Sequence, residues 1–329
     1  MTENEERHAD LEAYSEHLRL LSGWSFVVTR PKRLGVAVSG GSDSMALLDL
    51  MIWQGREKGF EVVAVSVDHG IRAEAKDECA FVASICKKRD IAHSILEWKG
   101  WDGTGNLQAK ARKARYQLIL EWALRNGVDC IALGHTRDDQ AETVLMRLAR
   151  SSGVDGLAGM PDHFDRDALH FVRPLLNTTR QELRDYLQHQ KLTWCEDPTN
   201  EDDSYERVRM RKAMPALAEL GIDAEALARV AWHASLAKWA LDHYLLVEVR
   251  ENGLVIEDHG DLILPERTPT PENDAPSEIH RRALNKAIQW MSGAAYPPRA
   301  SALLNMSAAM TSADDHTLGG CLVSRHSGV

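Results

Sequence analysis

No run of the chain approaches the roughly 20 consecutive apolar residues that a membrane-spanning helix needs, so the sequence predicts no membrane partner. The opening stretch, MTENEERHADLEAYSEHLRLL, carries early acids and lacks the apolar h-region of a secretory leader, which points to a cytoplasmic protein. The five cysteines, at 79, 86, 130, 195 and 321, include no CxxC pair and no zinc-type spacing, so they read as reduced thiols. Cys79 and Cys86 stand seven apart on a predicted helix, a spacing suited to shared core packing. There is no GxxxxGK[ST] stretch, which excludes a Walker A loop and its phosphate-binding lysine. Internal repeats and low-complexity tracts are also lacking.

What is present describes an ordinary globular chain of 329 residues, 44% hydrophobic and 27% charged. That length exceeds one compact core, so two domains are expected. The net charge of −10 argues weakly against a nucleic-acid partner. Two local runs argue the other way: Lys110, Arg112, Lys113 and Arg115, and then Arg207, Arg209, Arg211 and Lys212. Short apolar runs at 34–38, 61–67, 93–98 and 129–135 alternate with helical patterns from Ser42, through about Arg89, over 106–125 and from Thr136. This alternation predicts an α/β fold whose parallel sheet is covered on both faces. Residues 171–176 are expected to add an edge strand before a helix at 179–190. A helix over 206–220 should bend or break at Pro215. Further helices are expected over 223–250, 277–292 and 299–310, so the domains are drawn as 1–220 and a smaller, mostly helical 221–329.

Ser39-Gly40-Gly41-Ser42-Asp43-Ser44 lies where the first strand turns into a helix. Glycines let a backbone approach an anion, and a helix N-terminus offers unpaired N–H groups with the positive end of its dipole. Asp43 would repel phosphate directly, so its sensible task is to hold a Mg²⁺ on the phosphate oxygens. The competing reading is a plain strand-to-helix turn capped by Ser42. A second block, LGHTRDDQAET (133–143), follows the fourth strand. At about 100° per residue, Ala141, Val144, Leu145 and Leu148 share a core face, and Asp139 and Glu142 lie off it, toward a cleft. Thr136 and Asp139 also fit a capping box, a structural use for that acid.

The pattern SGGxDS resembles the PP-loop of the N-type ATP pyrophosphatases, which transfer AMP to an oxygen and release pyrophosphate. The run LGHTRDDQAETVLMRLARSSGVDGLAGM (133–160) narrows this and resembles the tRNA(Ile)-lysidine synthase family. VDHGIR (67–72), NLQAKARKARY (106–116), RPLL (173–176), WCEDPTN (194–200), YERVRMR (205–211) and LGGC (318–321) agree in order. The resemblance implies a Rossmann-like, PP-loop catalytic domain followed by a helical tRNA-binding domain. It implies ATP and Mg²⁺ as cofactors, with free L-lysine and a tRNA(Ile) bearing a CAU anticodon as partners. On the same resemblance, Ser39, Gly40, Gly41, Ser42, Asp43 and Ser44 bind ATP. Asp43 and Asp139 are the metal candidates, and Asp139 and Glu142 are partners for the lysine ammonium. His135 positions substrate, Arg115 faces the α-phosphate, and Arg112, Arg207 and Arg211 grip phosphates of the nucleotide or the tRNA. In the C-terminal part, Arg281, Arg282, Lys286 and Arg299 are candidate phosphate contacts. Val208 stands where the family commonly has an asparagine, and Asp68-His69 matches only part of a usual histidine-rich block.

The main alternative is a PP-loop tRNA thiolase, which needs a cysteine pair or an iron–sulfur cluster; Cys130 and Cys195 are its candidates near the cleft. A small-molecule amide ligase and a non-catalytic nucleotide or RNA binder complete the rivals. Oligomeric state is unreadable from the sequence, and a homodimer is only the commonest default.

Overall fold

A computed structural model describes residues 17, 21, 31–70, 74–99, 101, 104–196, 202–252, 255–256, 261–263, 275–294, 298–309 and 315–324. Asp197 to Asn200 of the WCEDPTN block, and Ile71 and Arg72 of VDHGIR, lie outside them. The chain divides into two compact units, Met1–Ser235 and Leu236–Val329. The expected domain boundary near 220 falls in the turn just before the helix that carries this division.

The first unit follows the predicted alternation. Its elements are β1 (Arg33–Ala37), α1 (Ser42–Lys58), β2 (Glu61–Asp68), α2 (Glu74–Lys88), β3 (His93–Glu97), α3 (Leu107–Asn126) and β4 (Cys130–Leu133). Then come α4 (Arg137–Leu148), α5 (Val154–Leu157), β5 (His163–Arg166), β6 (Leu169–Val172), α6 (Arg180–His189), α7 (Glu206–Ala218) and the start of α8 (Ala224–Asn252). The strands form one sheet in the order β3-β2-β1-β4-β6-β5. All neighbours are parallel except β5 and β6.

Burial on both faces explains the near-continuous apolar strands. Along β2, Val62 and Ala64 face one layer with Leu34, Val36, the α1 leucines, and Leu183 and Tyr186 of α6. Val63 and Val65 face the other layer with Ile131, Phe171 and the α3 residues Tyr116, Ile119 and Trp122. Cys79 and Cys86 are both buried on α2, and burial pushes each thiol up to about 11. Outside the sheet, Ala141, Val144 and Leu145 of α4 pack with Leu227 and Ala231 of α8 and with Met210, Met214 and Leu217 of α7.

Two expectations are corrected. The strand anticipated at 171–176 starts earlier, at Leu169, and is internal; the edge is β5, which pairs antiparallel with it. Pro215 neither ends nor interrupts α7. It stands one turn from the helix end, where its missing N–H removes a single hydrogen bond.

In the second unit the remainder of α8 is followed by β7 (Val255–Ile256), β8 (Leu262–Ile263), α9 (Ala275–Ser292), α10 (Ala300–Ala309), β9 (Asp315–Leu318) and β10 (Cys321–Ser324). Ile288, Leu303 and Met306 form its core beneath the β9–β10 hairpin residues Leu318, Cys321 and Val323. Three of its four candidate phosphate contacts are engaged with acids. Arg281 pairs with Glu278, Arg282 with Glu278 and Asp242, and Lys286 with Asp242.

Candidate active site

The strand order turns back between β1 and β4. The chain leaves β1 toward β2 and β3 but leaves β4 toward β6. Loops following adjacent strands that diverge in this way open a crevice at the strands' carboxyl ends.

The loop after β1 is residues 39–44. Gly40 has φ +94°, a conformation that L side chains rarely adopt, and this lets the chain turn sharply toward α1. Gly41 is the N-cap of α1, and no side chain caps that end. Its first-turn N–H groups are therefore left for an anion. Ser42, the cap on the competing reading, instead turns its Oγ to Asp43 Oδ1 at 3.0 Å. Ser44 Oγ accepts the Ser39 N–H at 3.2 Å and donates to the Gly41 carbonyl at 3.0 Å, bracing the loop from inside. On the β4 side, a Cβ on Gly134 would stand 3.2 Å from the Asp43 carbonyl oxygen and the Ser44 backbone. The two loops thus pack backbone against backbone.

Beyond Gly134 the chain starts α4 with a capping box. The Thr136 N–H and Oγ1 donate to Asp139 Oδ2 at 2.8 and 2.9 Å, and Thr136 Oγ1 accepts the Asp139 N–H at 3.3 Å. Only one oxygen of Asp139 is used in this way. The other, Oδ1, lies 3.3 Å from Arg180 Nη2 and 3.8 Å from Arg207 Nη1. One turn on, Glu142 is 1% exposed. Arg211 Nε donates to its Oε1 at 2.8 Å, Arg207 Nε lies 3.3 Å from Oε2, and Arg180 Nη1 lies 3.6 Å from Oε1. Arg180 Nε also reaches Asp43 Oδ2 at 3.2 Å. Three acids and three arginines thus form one knot across α1, α4, α6 and α7.

The knot sets the charge states. Burial pushes the Asp43 carboxyl up, and Arg180 only partly opposes it. Burial likewise raises Glu142, against the hydrogen bond from Arg211. At Asp139 burial acts in the same sense but is outweighed by Arg180, Arg207 and the Thr136 N–H, so that carboxyl sits below its usual range. His135 follows a different logic. Burial, reinforced by Arg173, Arg115 and Arg207, lowers it to about 3, against the pull of Asp139. It is therefore a neutral imidazole. Arg173 Nε donates to its Nδ1 at 3.2 Å, which leaves the proton on Nε2.

The structure brings together Asp43, His135, Asp139, Glu142, Arg207 and Arg211. Arg115 belongs to the same neighbourhood, since it acts on His135 and is itself lowered by burial and by Arg112 and Arg207. Arg112 is exposed and stands over the Tyr116 ring. Cys130 is fully buried within β4 and is no cleft residue. Cys195 does lie by the loop: its N–H donates to the Gly40 carbonyl at 2.9 Å. None of the five cysteines is in a disulfide.

The PP-loop domain family matches residues 13–217. Relatives match along most of the chain. The tRNA(Ile)-lysidine synthase of Ruegeria pomeroyi is 45% identical over 307 residues, 93% of this chain and 71% of that protein. The protein of the same name from Wolbachia pipientis wMel is 36% identical, covering 89% and 68%. That from Bradyrhizobium diazoefficiens is 38% identical, covering 78% and 72%. This chain belongs to the tRNA(Ile)-lysidine synthase family of PP-loop proteins. The fold extends further than the family. The structure of the U34-tRNA thiolase NcsA from Methanococcus maripaludis with its [4Fe-4S] cluster superimposes with a TM-score of 0.57 at 18% identity, over 68% of this chain and 78% of that one.

Within this lysidine-synthase framework, sequence reasoning missed Arg180. It is the first residue of α6, whose N-cap Thr179 forms a capping box with Glu182. Its own N–H donates to Asp138 Oδ2 at 2.7 Å. TRxE could have flagged a helix start carrying an arginine, but nothing local names its acid partners. Arg180 also tests the fit of a metal. Among the described residues no three His, Cys, Asp or Glu side chains form a metal cage. Even so, Asp43 and Asp139 converge on one cationic group, the Arg180 guanidinium. Two carboxylates converging on a cation beside a phosphate loop suit Mg²⁺, which takes one or two carboxylates and fills its shell with phosphate oxygens and water.

Proposed function

We propose that this enzyme uses ATP to join the ε-amine of free L-lysine to C2 of the wobble cytidine in tRNA(Ile) with a CAU anticodon. The products are lysidine, AMP and pyrophosphate. The observation that carries the reading is the uncapped start of α1 set against a buried knot of acids at the turning point of the sheet. Phosphate needs the first, and a cationic amine needs the second.

The chemistry runs in two displacements. The cytidine O2 attacks the α-phosphorus of ATP, the bond to the β-phosphate oxygen breaks, and pyrophosphate leaves. The lysine ammonium passes a proton to the Glu142 carboxylate, whose affinity for a proton burial raises, and the freed amine attacks C2; the C2–O bond breaks and AMP leaves with its electron pair. An oxygen that leaves poorly becomes a phosphate ester that leaves well. The Ser39–Ser44 backbone cradles the phosphates, and its serine hydroxyls hold the loop in that shape. Arg115 and the Nε2–H of His135 face the α-phosphate, where negative charge builds. A Mg²⁺ held by Asp43 and Asp139 would neutralise the departing pyrophosphate. Asp139 and Glu142 receive the lysine ammonium, with the Arg180 guanidinium holding both carboxylates in place.

Incubation with radiolabelled lysine, ATP, Mg²⁺ and the CAU-anticodon tRNA tests this. One AMP should appear for each lysine incorporated. Release of ADP would overturn the reading, and label entering only from a sulfur donor would point to a thiolase. No specific observation favours the thiolase: the cysteines include no CxxC pair, and the likeness to the thiolase structure, at 18% identity, is one of fold.

A further inference from the structure

Several arginines outside the acid knot gather on one aromatic layer. Arg112 and Arg115 on α3 and Arg166 at the end of β5 place their guanidinium carbons 5.2, 5.6 and 4.5 Å from the centre of the Tyr116 ring. Arg173, just after β6, lies 4.4 Å above Phe164. Tyr116, Phe164 and Phe171 pack on one another, with centroids 5.0–6.3 Å apart.

Stacking explains only part of this. A ring has two faces, so three guanidinia are more than cation–π contact alone can use. Hydrogen bonds occupy Arg173, on His135 and the Pro161 carbonyl, and reach Arg112 only through a 3.4 Å contact with the Tyr116 hydroxyl; ion pairing does not explain the rest. Among the described residues no carboxylate lies within ion-pairing distance of Arg112, Arg115 or Arg173, and Arg166 has only Asp167, at 3.9 Å. Four like charges thus repel one another in a chain whose net charge is −10. Such an arrangement is stable where an anion completes it.

The cluster has an inner and an outer part. Arg173 is 5% exposed and bonded to His135, and Arg115 acts on the same imidazole. These two belong with the nucleotide. Arg112 and Arg166 are on the outside, with the Arg166 side chain 41% exposed. Their shared ring sets their guanidinia within roughly 10 Å of each other.

We propose that Arg112 and Arg166 form a phosphodiester-binding rim that grips the RNA strand beside the reacting nucleotide. Arg166 comes from the β5–β6 hairpin, so that antiparallel edge is an RNA-contacting element. The rim rests on the reading of the chain as an RNA-modifying enzyme and adds the place where the strand is held.

The test is the dissociation constant of the full-length enzyme for the CAU-anticodon tRNA, measured over a range of salt concentrations. Arg166→Ala and Arg112→Ala should each weaken tRNA binding about fivefold at low salt. Each should also flatten the slope of log K against log salt by about 0.7–0.9, the loss of one phosphate contact. Arg166→Lys should keep the slope while losing part of the affinity, since it keeps the charge but not the stacked fork. ATP affinity should not change, and thermal unfolding should shift only slightly, by the loss of one stacked contact. Unaltered tRNA affinity and slope in both alanine variants would overturn the rim, and so would a loss that appears in ATP affinity instead. Wild-type lysine incorporation into the same tRNA is scored separately. A wild type that binds the tRNA but incorporates no lysine would sink the ligase reading and leave the rim standing.

Discussion

His135 is a half-buried neutral imidazole among arginines, and its neutrality shapes the acid side of the stability profile. Its folded value, about 3, lies below the ordinary 6.5, so between these values the unfolded chain binds the extra proton. The stability gained is complete above pH 6.5 and is lost as pH falls toward the folded value. Between pH 7 and 5 this amounts to about 1–2 kcal/mol, discounted for partial exposure. His135→Gln should flatten that part of the profile, as followed by urea midpoints against pH. A variant with the same acid loss would show that other groups carry it. His135, Asp139 and Glu142 could be read from the sequence because they share one strand end and one helix turn. Arg180 could not. Its partners Asp43 and Asp139 are 137 and 41 residues away, and only the folded sheet brings them together.

At the scale of elements, α6 matters for where it starts. The Thr179 N–H and Oγ1 both donate to Glu182 Oε2 at 2.8 Å, and the next residue is Arg180. Loss of the cap should cost about 1 kcal/mol of stability. It should cost more in function, because it loosens the guanidinium that spans Asp43, Asp139 and Glu142. Thr179→Ala is therefore expected to raise the KM for lysine several-fold while the urea midpoint shifts only slightly. A large midpoint shift with KM unchanged would reduce Thr179 to a purely structural role. The order of elements was readable from alternating apolar runs and glycine turns. The β5 edge strand was not, because HFDR alternates half-buried with exposed residues and carries no apolar run.

For the whole molecule, the division into two compact units predicts how heat acts on it. All the proposed ATP contacts lie in Met1–Ser235. An unreactive ATP analogue at 100 times its dissociation constant adds about 2.7 kcal/mol to the state that binds it. Calorimetry should show one transition that moves upward with the analogue and one that stays. A single transition moving as a unit would mean that α8, which belongs to both, makes them unfold together. The same scale gives meaning to the close approach at Gly134. Where the peptides of two loops touch, spacing is fixed by atomic radii, and no side chain remains there to be exchanged for a longer or shorter one. Any divergence in what such a protein accepts must then arise in the side chains around that contact, since the contact itself offers nothing to vary.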